Sequence, residues 1–285
     1  MPSQDCHKRP ILPESIASEP QRKETFTMCL ILVAHRPEEP IPLLVLANRD
    51  EFYDRPSEAA DYWQESPAMI AGRDLVSGGA WFGVNNQRWA SVTNIREGIR
   101  DQDSHHRSRG WLVRDYLLGD LSPADYLISI QATKKQFAGF NLLLGNGKEL
   151  WYTTNRSTGS KQLEPGIYGL SNHLLDTPWP KTVRGKKALA QLLKRPSFDD
   201  EDALALLADT TLAPDSELPD TAIPLEWERA LSAIFIAMPS YGTRCSTLLL
   251  AAADGRQNFV ERRYNRTPQN WQQSEFSWRT PGKFA

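Results

Sequence analysis

Four times along this chain, two short apolar runs flank a brief polar segment. Residues 29–34 and 43–47 enclose a stretch with Pro37 and Pro40, and 80–84 and 89–94 enclose Asn85-Asn86-Gln87-Arg88. Residues 140–144 and 149–153 enclose Gly145-Asn146-Gly147-Lys148, and 246–252 and 258–264 enclose Asp254-Gly255. Runs of this length are strand-sized, and an Asn-Gly or Asp-Gly step tolerates the positive φ that a tight reversal needs. Four hairpins predict a largely antiparallel arrangement.

Helix signals lie between the hairpins. Ser122, Pro123 and Asp125 read as a cap, a first-turn proline and an acidic first turn, opening a helix that runs on to Phe137. A shorter helix is expected over 110–118. A third begins after Thr177-Pro178 and continues to about Lys194, with Val183, Leu189, Leu192 and Leu193 near helical spacing, and a fourth covers 200–208. No strand–helix–strand unit repeats, so the pattern predicts an α+β fold in which helices cover antiparallel sheets. No Pro/Gly-rich linker splits residues 28–285, which read as a single domain. Residues 1–27 mix charges, Pro and Ser with few large apolar groups and read as a disordered leader, or as sequence preceding the true start at Met28.

Composition narrows the choice of partner. Thirty-three basic residues against 35 acidic ones give a net charge of −2, which offers no general attraction for nucleic acid or an anionic membrane. No apolar run approaches the roughly 20 residues of a membrane helix. The three cysteines, Cys6, Cys29 and Cys245, are scattered and form no C-x-x-C pair, which suits a reducing, cytoplasmic setting and indicates no zinc or other metal site. Phosphate-binding glycine loops, dinucleotide fingerprints and zincin motifs are missing, so no cofactor is expected. A small molecule or a neutral surface is the more natural partner.

One constellation carries chemistry. Cys29 follows Met28 at the start of the folded part, and Asn48-Arg49-Asp50-Glu51 ends the strand that pairs with it. Charges at the mouth of an apolar hairpin are costly unless paired or exposed. If Met28 and the leader were removed, Cys29 would carry both a thiol and a free α-amine, whose pKa near 8 suits it as the base for that thiol. On residue chemistry alone the bland readings stay open: Cys29 as core, Arg49 with Asp50 or Glu51 as a strand-end ion pair, Asn94 and Asn172 as turn caps, and Trp81 as core or pocket lining.

Met28-Cys29-Leu-Ile, Ala47-Asn-Arg-Asp-Glu-Phe52 and Gly78-Gly-Ala-Trp-Phe-Gly-Val-Asn85 resemble the NRDE family, also called the transport and Golgi organisation protein 2 family. Arg55-Pro56, Gly169-Leu-Ser-Asn172 and Tyr241-Gly-Thr-Arg244 fit as well, and the resemblance spans 28–285. More distantly, the chain is similar to N-terminal-nucleophile cysteine hydrolases of the penicillin V acylase and bile salt hydrolase type. That similarity implies an αββα sandwich and cleavage of a linear amide or acyl bond. It sets Cys29 as nucleophile, Arg49 with Asp50 as the groups orienting thiolate and amine, Asn94 and Asn172 as oxyanion donors, and Arg244 as a late arginine of the site. Arg49 and Asp50 are adjacent here, whereas those hydrolases space them apart, so Asp50 and Glu51 compete for the carboxylate role. Glu51 and Trp81 are expected to contact substrate. The family also implies an alternative from a different class, a non-catalytic carrier or chaperone for haem or an acyl lipid that uses the same cleft.

Overall fold

A computed structural model describes residues 28–96 and 106–280; the 1–27 leader lies outside the described residues. In chain order the strands are β1 (Met28–His35), β2 (Leu43–Phe52), β3 (Ser57–Trp63), β4 (Ser66–Asp74), β5 (Phe82–Asn85) and β6 (Arg88–Asn94). Helices α1 (Gly110–Leu118) and α2 (Pro123–Ser129) precede β7 (Phe140–Gly145), β8 (Leu150–Thr154), β9 (Ser160–Gln162) and β10 (Gly166–Leu170). Helices α3 (Pro180–Leu192), α4 (Asp200–Ala205) and α5 (Leu225–Leu231) then lead to β11 (Tyr241–Ala251), β12 (Arg256–Tyr264) and β13 (Trp271–Arg279). Among the described residues no helix is long and apolar enough to cross a membrane.

The strands form two sheets, ordered β10-β1-β2-β11-β12-β13 and β3-β4-β5-β6-β7-β8-β9. Strand alternation then decides what each sheet packs against. Ile31 and Val33 of β1, with Val45 and Ala47 of β2, join Phe82, Trp89 and Leu143 of the second sheet in a core between the sheets. Their neighbours Leu30, Leu32, Leu44 and Leu46 face outward onto Leu189 and Leu192 of α3 and Leu204 of α4. On the far side, Leu142 and Leu144 of β7 meet Leu112, Val113, Tyr116 and Leu117 of α1. The result is the αββα sandwich that the resemblance implies, built from the antiparallel pairs that the hairpin pattern predicts.

All four hairpins form where expected, and their turns follow local chemistry. Only Gly147 of the Asn-Gly step takes positive φ, at 87°, while the Asn146 side chain accepts from the Lys148 and Glu149 N–H groups. Helix α1 spans the expected 110–118, whereas the other three helices are shorter than predicted. Ser122 does cap α2, accepting from the Asp125 N–H, yet the helix stops at Ser129 and a 3-10 segment runs Gln131–Gln136. Likewise 200–208 divides into α4 and a 3-10 turn at Leu206–Ala208. Helix α3 starts at Pro180, because a residue ahead of proline disfavours the helical region, and Trp179 stays extended (ψ 146°). Strands β3, β4, β9, β10 and β13 are absent from the sequence reading: apart from β4 they are short or carry largely exposed side chains, so no apolar run marks them.

Candidate active site

Cys29 enters the site because β1 lies between β10 and β2. Its register partner on β2 is Arg49, and alternation points both side chains toward the space between the sheets. On the other side β10 ends at Leu170, paired with Ile31, so the ladder runs out two residues short of Cys29. Side chains take over there. Ser171 Oγ donates to the Cys29 carbonyl at 2.9 Å, and Asn172 Oδ1 accepts the Cys29 N–H at 3.1 Å. Asn172 Nδ2 in turn donates to the Asn94 carbonyl at 2.9 Å, tying β1 to the end of β6 in the opposite sheet.

A cleft of about 840 Å³ opens over the cysteine, lined by Arg49, Glu51, Arg55, Asp74, Trp81 and Asn94 among others. That volume falls in the range of small-molecule sites. Cys29 is only 7% exposed, at the cleft floor. A second depression, of about 790 Å³, lies between β3, β4 and β13 and holds none of the predicted site residues.

The cleft wall is an ion-pair network. Arg49 Nη2 lies 3.2 Å from Asp74 Oδ2, and Arg55 grips the same carboxylate through Nε at 2.6 Å and Nη2 at 3.1 Å. Glu51 is 3.8 Å from Arg49 and 3.6 Å from Arg55. Burial would raise the Asp74 carboxyl, but hydrogen bonds from Arg55 and the charges of Arg55 and Arg49 more than offset it and hold it below its ordinary range. The Arg49 guanidinium stacks over Trp81, 4.4 Å from the ring centroid, and its Nη1 has no hydrogen-bond partner. Trp81 fits only because residue 72 is glycine: a Cβ there would overlap indole atoms Cζ2 and Cη2. Gly72→Ala is therefore expected to push Trp81 off Arg49 and destabilise the fold by about 1–3 kcal/mol. A urea midpoint equal to wild type would show that the indole can move aside without loss.

Asp50 takes the opposite face of β2. Fully buried, it faces the helix layer, where Thr243 Oγ1 donates to Oδ1 at 2.7 Å and Lys181 Nζ of α3 stands 3.9 Å from Oδ2. Burial pushes the Asp50 carboxyl up to about 6, with Lys181 the main opposing charge. Burial likewise lowers Lys181 to about 8, against the attraction of Asp50. The Cys29 thiol is pushed up to about 12, first by burial and then by the Asp50 charge, while Arg49 and Lys181 pull the other way.

Six of the eight predicted residues thus meet around one point: Cys29, Arg49, Glu51, Trp81 and Asn94 line the cleft, and Asn172 supports the cysteine from behind. Asp50 lies beneath the sheet. Arg244 is turned aside by a β-bulge, for Thr243 pairs with Asp50 and Cys245 with Arg49, leaving Arg244 as the extra residue. Its guanidinium donates to the Phe52 and Arg55 carbonyls instead. Sequence reasoning missed Asp74 and Lys181, which no local pattern singles out. Arg55 and Ser171 stood inside family motifs without an assigned role.

The family model described as Transport and Golgi organisation 2 matches residues 28–266. The Transport and Golgi organization protein 2 homolog of Bos taurus is 34% identical over 277 residues, covering 88% of this chain and 99% of that protein. Among solved structures the chain is similar to a mutant form of conjugated bile acid hydrolase from Clostridium perfringens, with 8% identity, 87% of this chain and 92% of that one covered, and a TM-score of 0.49. It is also similar to the Caenorhabditis elegans ortholog of N-acylethanolamine-hydrolyzing acid amidase, with 13% identity, 78% and 92% coverage, and a TM-score of 0.44. This chain belongs to the Transport and Golgi organisation 2 family.

Proposed function

We propose that the protein is a cytoplasmic N-terminal-cysteine hydrolase acting on a linear amide or related acyl bond, working in a form that begins at Cys29. One observation carries the reading: a cysteine lies at the floor of a ligand-sized cleft with its own backbone N–H and C=O both held by side chains, Asn172 and Ser171. The start of the family match at Met28 agrees with it. While a peptide bond to Met28 remains, burial keeps the thiol protonated at neutral pH. Its loss leaves an amine with a pKa near 8 on the same residue.

The steps follow from that amine. It takes the Cys29 thiol proton; the thiolate attacks the substrate carbonyl carbon, forming a C–S bond, and the oxyanion is held by the Asn94 amide with Asn172 behind it. On collapse the carbonyl reforms, the C–N bond breaks, and the ammonium returns the proton to the leaving amine. Water, deprotonated by the same amine, then cleaves the thioester to give the acid and regenerate the thiol. Arg49, opposite Cys29, favours the thiolate.

Intact-mass analysis of protein from its native cell tests the starting point: the mature chain is expected to begin at Cys29. A retained leader would remove the base and end the hydrolase reading. The high thiol pKa of a chain that keeps Met28 favours the second reading, a carrier for haem or an acyl lipid in the same cleft. Saturable binding of haem or an acyl-CoA without turnover would support it.

A further inference from the structure

The steps above leave one buried pair unused. Lys181, in the first turn of α3, is 1% exposed, and Asp50 is fully buried. At 3.9 Å their charged atoms stand beyond hydrogen-bond range, and neither Lys181 Nζ nor Asp50 Oδ2 has a hydrogen-bond partner. Apolar residues of similar volume often serve stability as well as a buried ion pair, so stability alone does not account for this one. Its position says which. Asp50 pairs in register with Met28, the residue whose loss would create the amine, and its charge acts more strongly on the Cys29 thiol than any other.

We propose that Lys181 is a positioning residue that competes with the Cys29 amine for Asp50 and so leaves that amine unprotonated and able to take the thiol proton. The inference rests on the N-terminal-cysteine reading. With Lys181 in place the Asp50 charge is already matched. Without it, the amine is the cation left to neutralise Asp50; held as an ammonium, it has no lone pair for the thiol.

The surrounding charges do not substitute for Lys181. Arg96, which follows β6, is bound to Glu228 of α5 at 2.7 Å, and Arg184 of α3 is bound to Asp209 at 2.6 Å. Arg49 of β2 points to the other face of the sheet, toward Asp74 and Glu51. Cys29 of β1 and Thr243 of β11 complete the surroundings. Burial brings Asp50 up to about 6 and Lys181 down to about 8, so both are charged in the interval between, where the competition operates.

The test is the pH dependence of Cys29 alkylation by iodoacetamide, read by peptide mass spectrometry on the mature full-length protein. Lys181→Met is expected to move the acid limb to higher pH, slowing alkylation about tenfold at a fixed pH below it, as a shift of about one unit requires. Adding Asp50→Asn to that variant should return the limb toward wild type. Asp50→Asn alone should move it to lower pH, which keeps the proposal testable if Lys181→Met does not fold. Profiles that superimpose while Cys29 still reacts would overturn the role of Lys181 and leave the hydrolase reading standing. A Cys29 that resists alkylation at every pH would overturn both.

Discussion

Replacing Cys29 by Ala is expected to abolish acyl transfer, lowering kcat/KM by about 10³-fold or more, as removal of a nucleophile does elsewhere. The reason is chemical: among the described residues the other cysteine, Cys245, is buried and lies outside the cleft lining. The substitution removes only a sulfur beside an open cleft, so the fold should lose about 1 kcal/mol or less. Intact mass after incubation with an activated acyl ester should show one acyl adduct on wild type and none on Cys29→Ala. An adduct of equal yield on both proteins would exclude Cys29 as nucleophile.

The second large effect concerns stability, and its sign separates a functional pair from a structural one. In a chain that keeps Met28, and so has no amine on Cys29, Lys181→Met alone leaves the Asp50 charge buried without its cation and is expected to cost about 3–5 kcal/mol. Asp50→Leu with Lys181→Met removes both charges and is expected to be neutral or to stabilise by about 1–4 kcal/mol. The pH dependence follows the same logic. The Asp50 pKa is raised from 3.8 to about 6, so its contribution is complete below 3.8 and is lost as pH rises through 6. The Lys181 pKa is lowered from 10.5 to about 8, so its contribution is complete above 10.5 and is lost as pH falls through 8. Between about 6 and 8 both charges weigh against the fold, and there the double variant should gain most over wild type. Urea titrations on either side of that interval and within it measure the difference; a double variant less stable than wild type at neutral pH would mean that the pair serves stability after all.

Asn48, the first residue of the Asn-Arg-Asp-Glu segment, shows how one short motif serves two layers. Its Nδ2 donates to the Leu207 and Ile234 carbonyls, both at 2.9 Å, and its Oδ1 accepts from Ser246. Asn48 and Asp50 thus face the helices, while Arg49 and Glu51 join the cleft on the other side. Period-two alternation sends adjacent polar residues to two different layers, the cleft side and the helix side. This also settles how Asp50 and Glu51 divide the space around the cysteine: Glu51 lines the cleft with Arg49, and Asp50 lies beneath the sheet with Lys181.

The hairpins, the two-faced strands and the neighbourhood of Cys29 and Arg49 were legible in the sequence because each rests on residues close together or joined by one turn. Apolar alternation and turn chemistry are local, and they act before any layer packs. The same holds for the Ser122 cap, though not for the helix length beyond it, where a 3-10 segment takes over at Gln131. What tertiary structure alone decided is who meets across layers. Placing β11 beside β2 put Thr243 on Asp50 and, through one bulged residue, turned Arg244 out of the cleft. Laying α3 over the first sheet buried Lys181 against Asp50, and folding β4 toward β2 gave Arg49 its partner Asp74. Such pairings depend on strand order and layer stacking, which join residues far apart in the chain and leave no periodic trace in either segment.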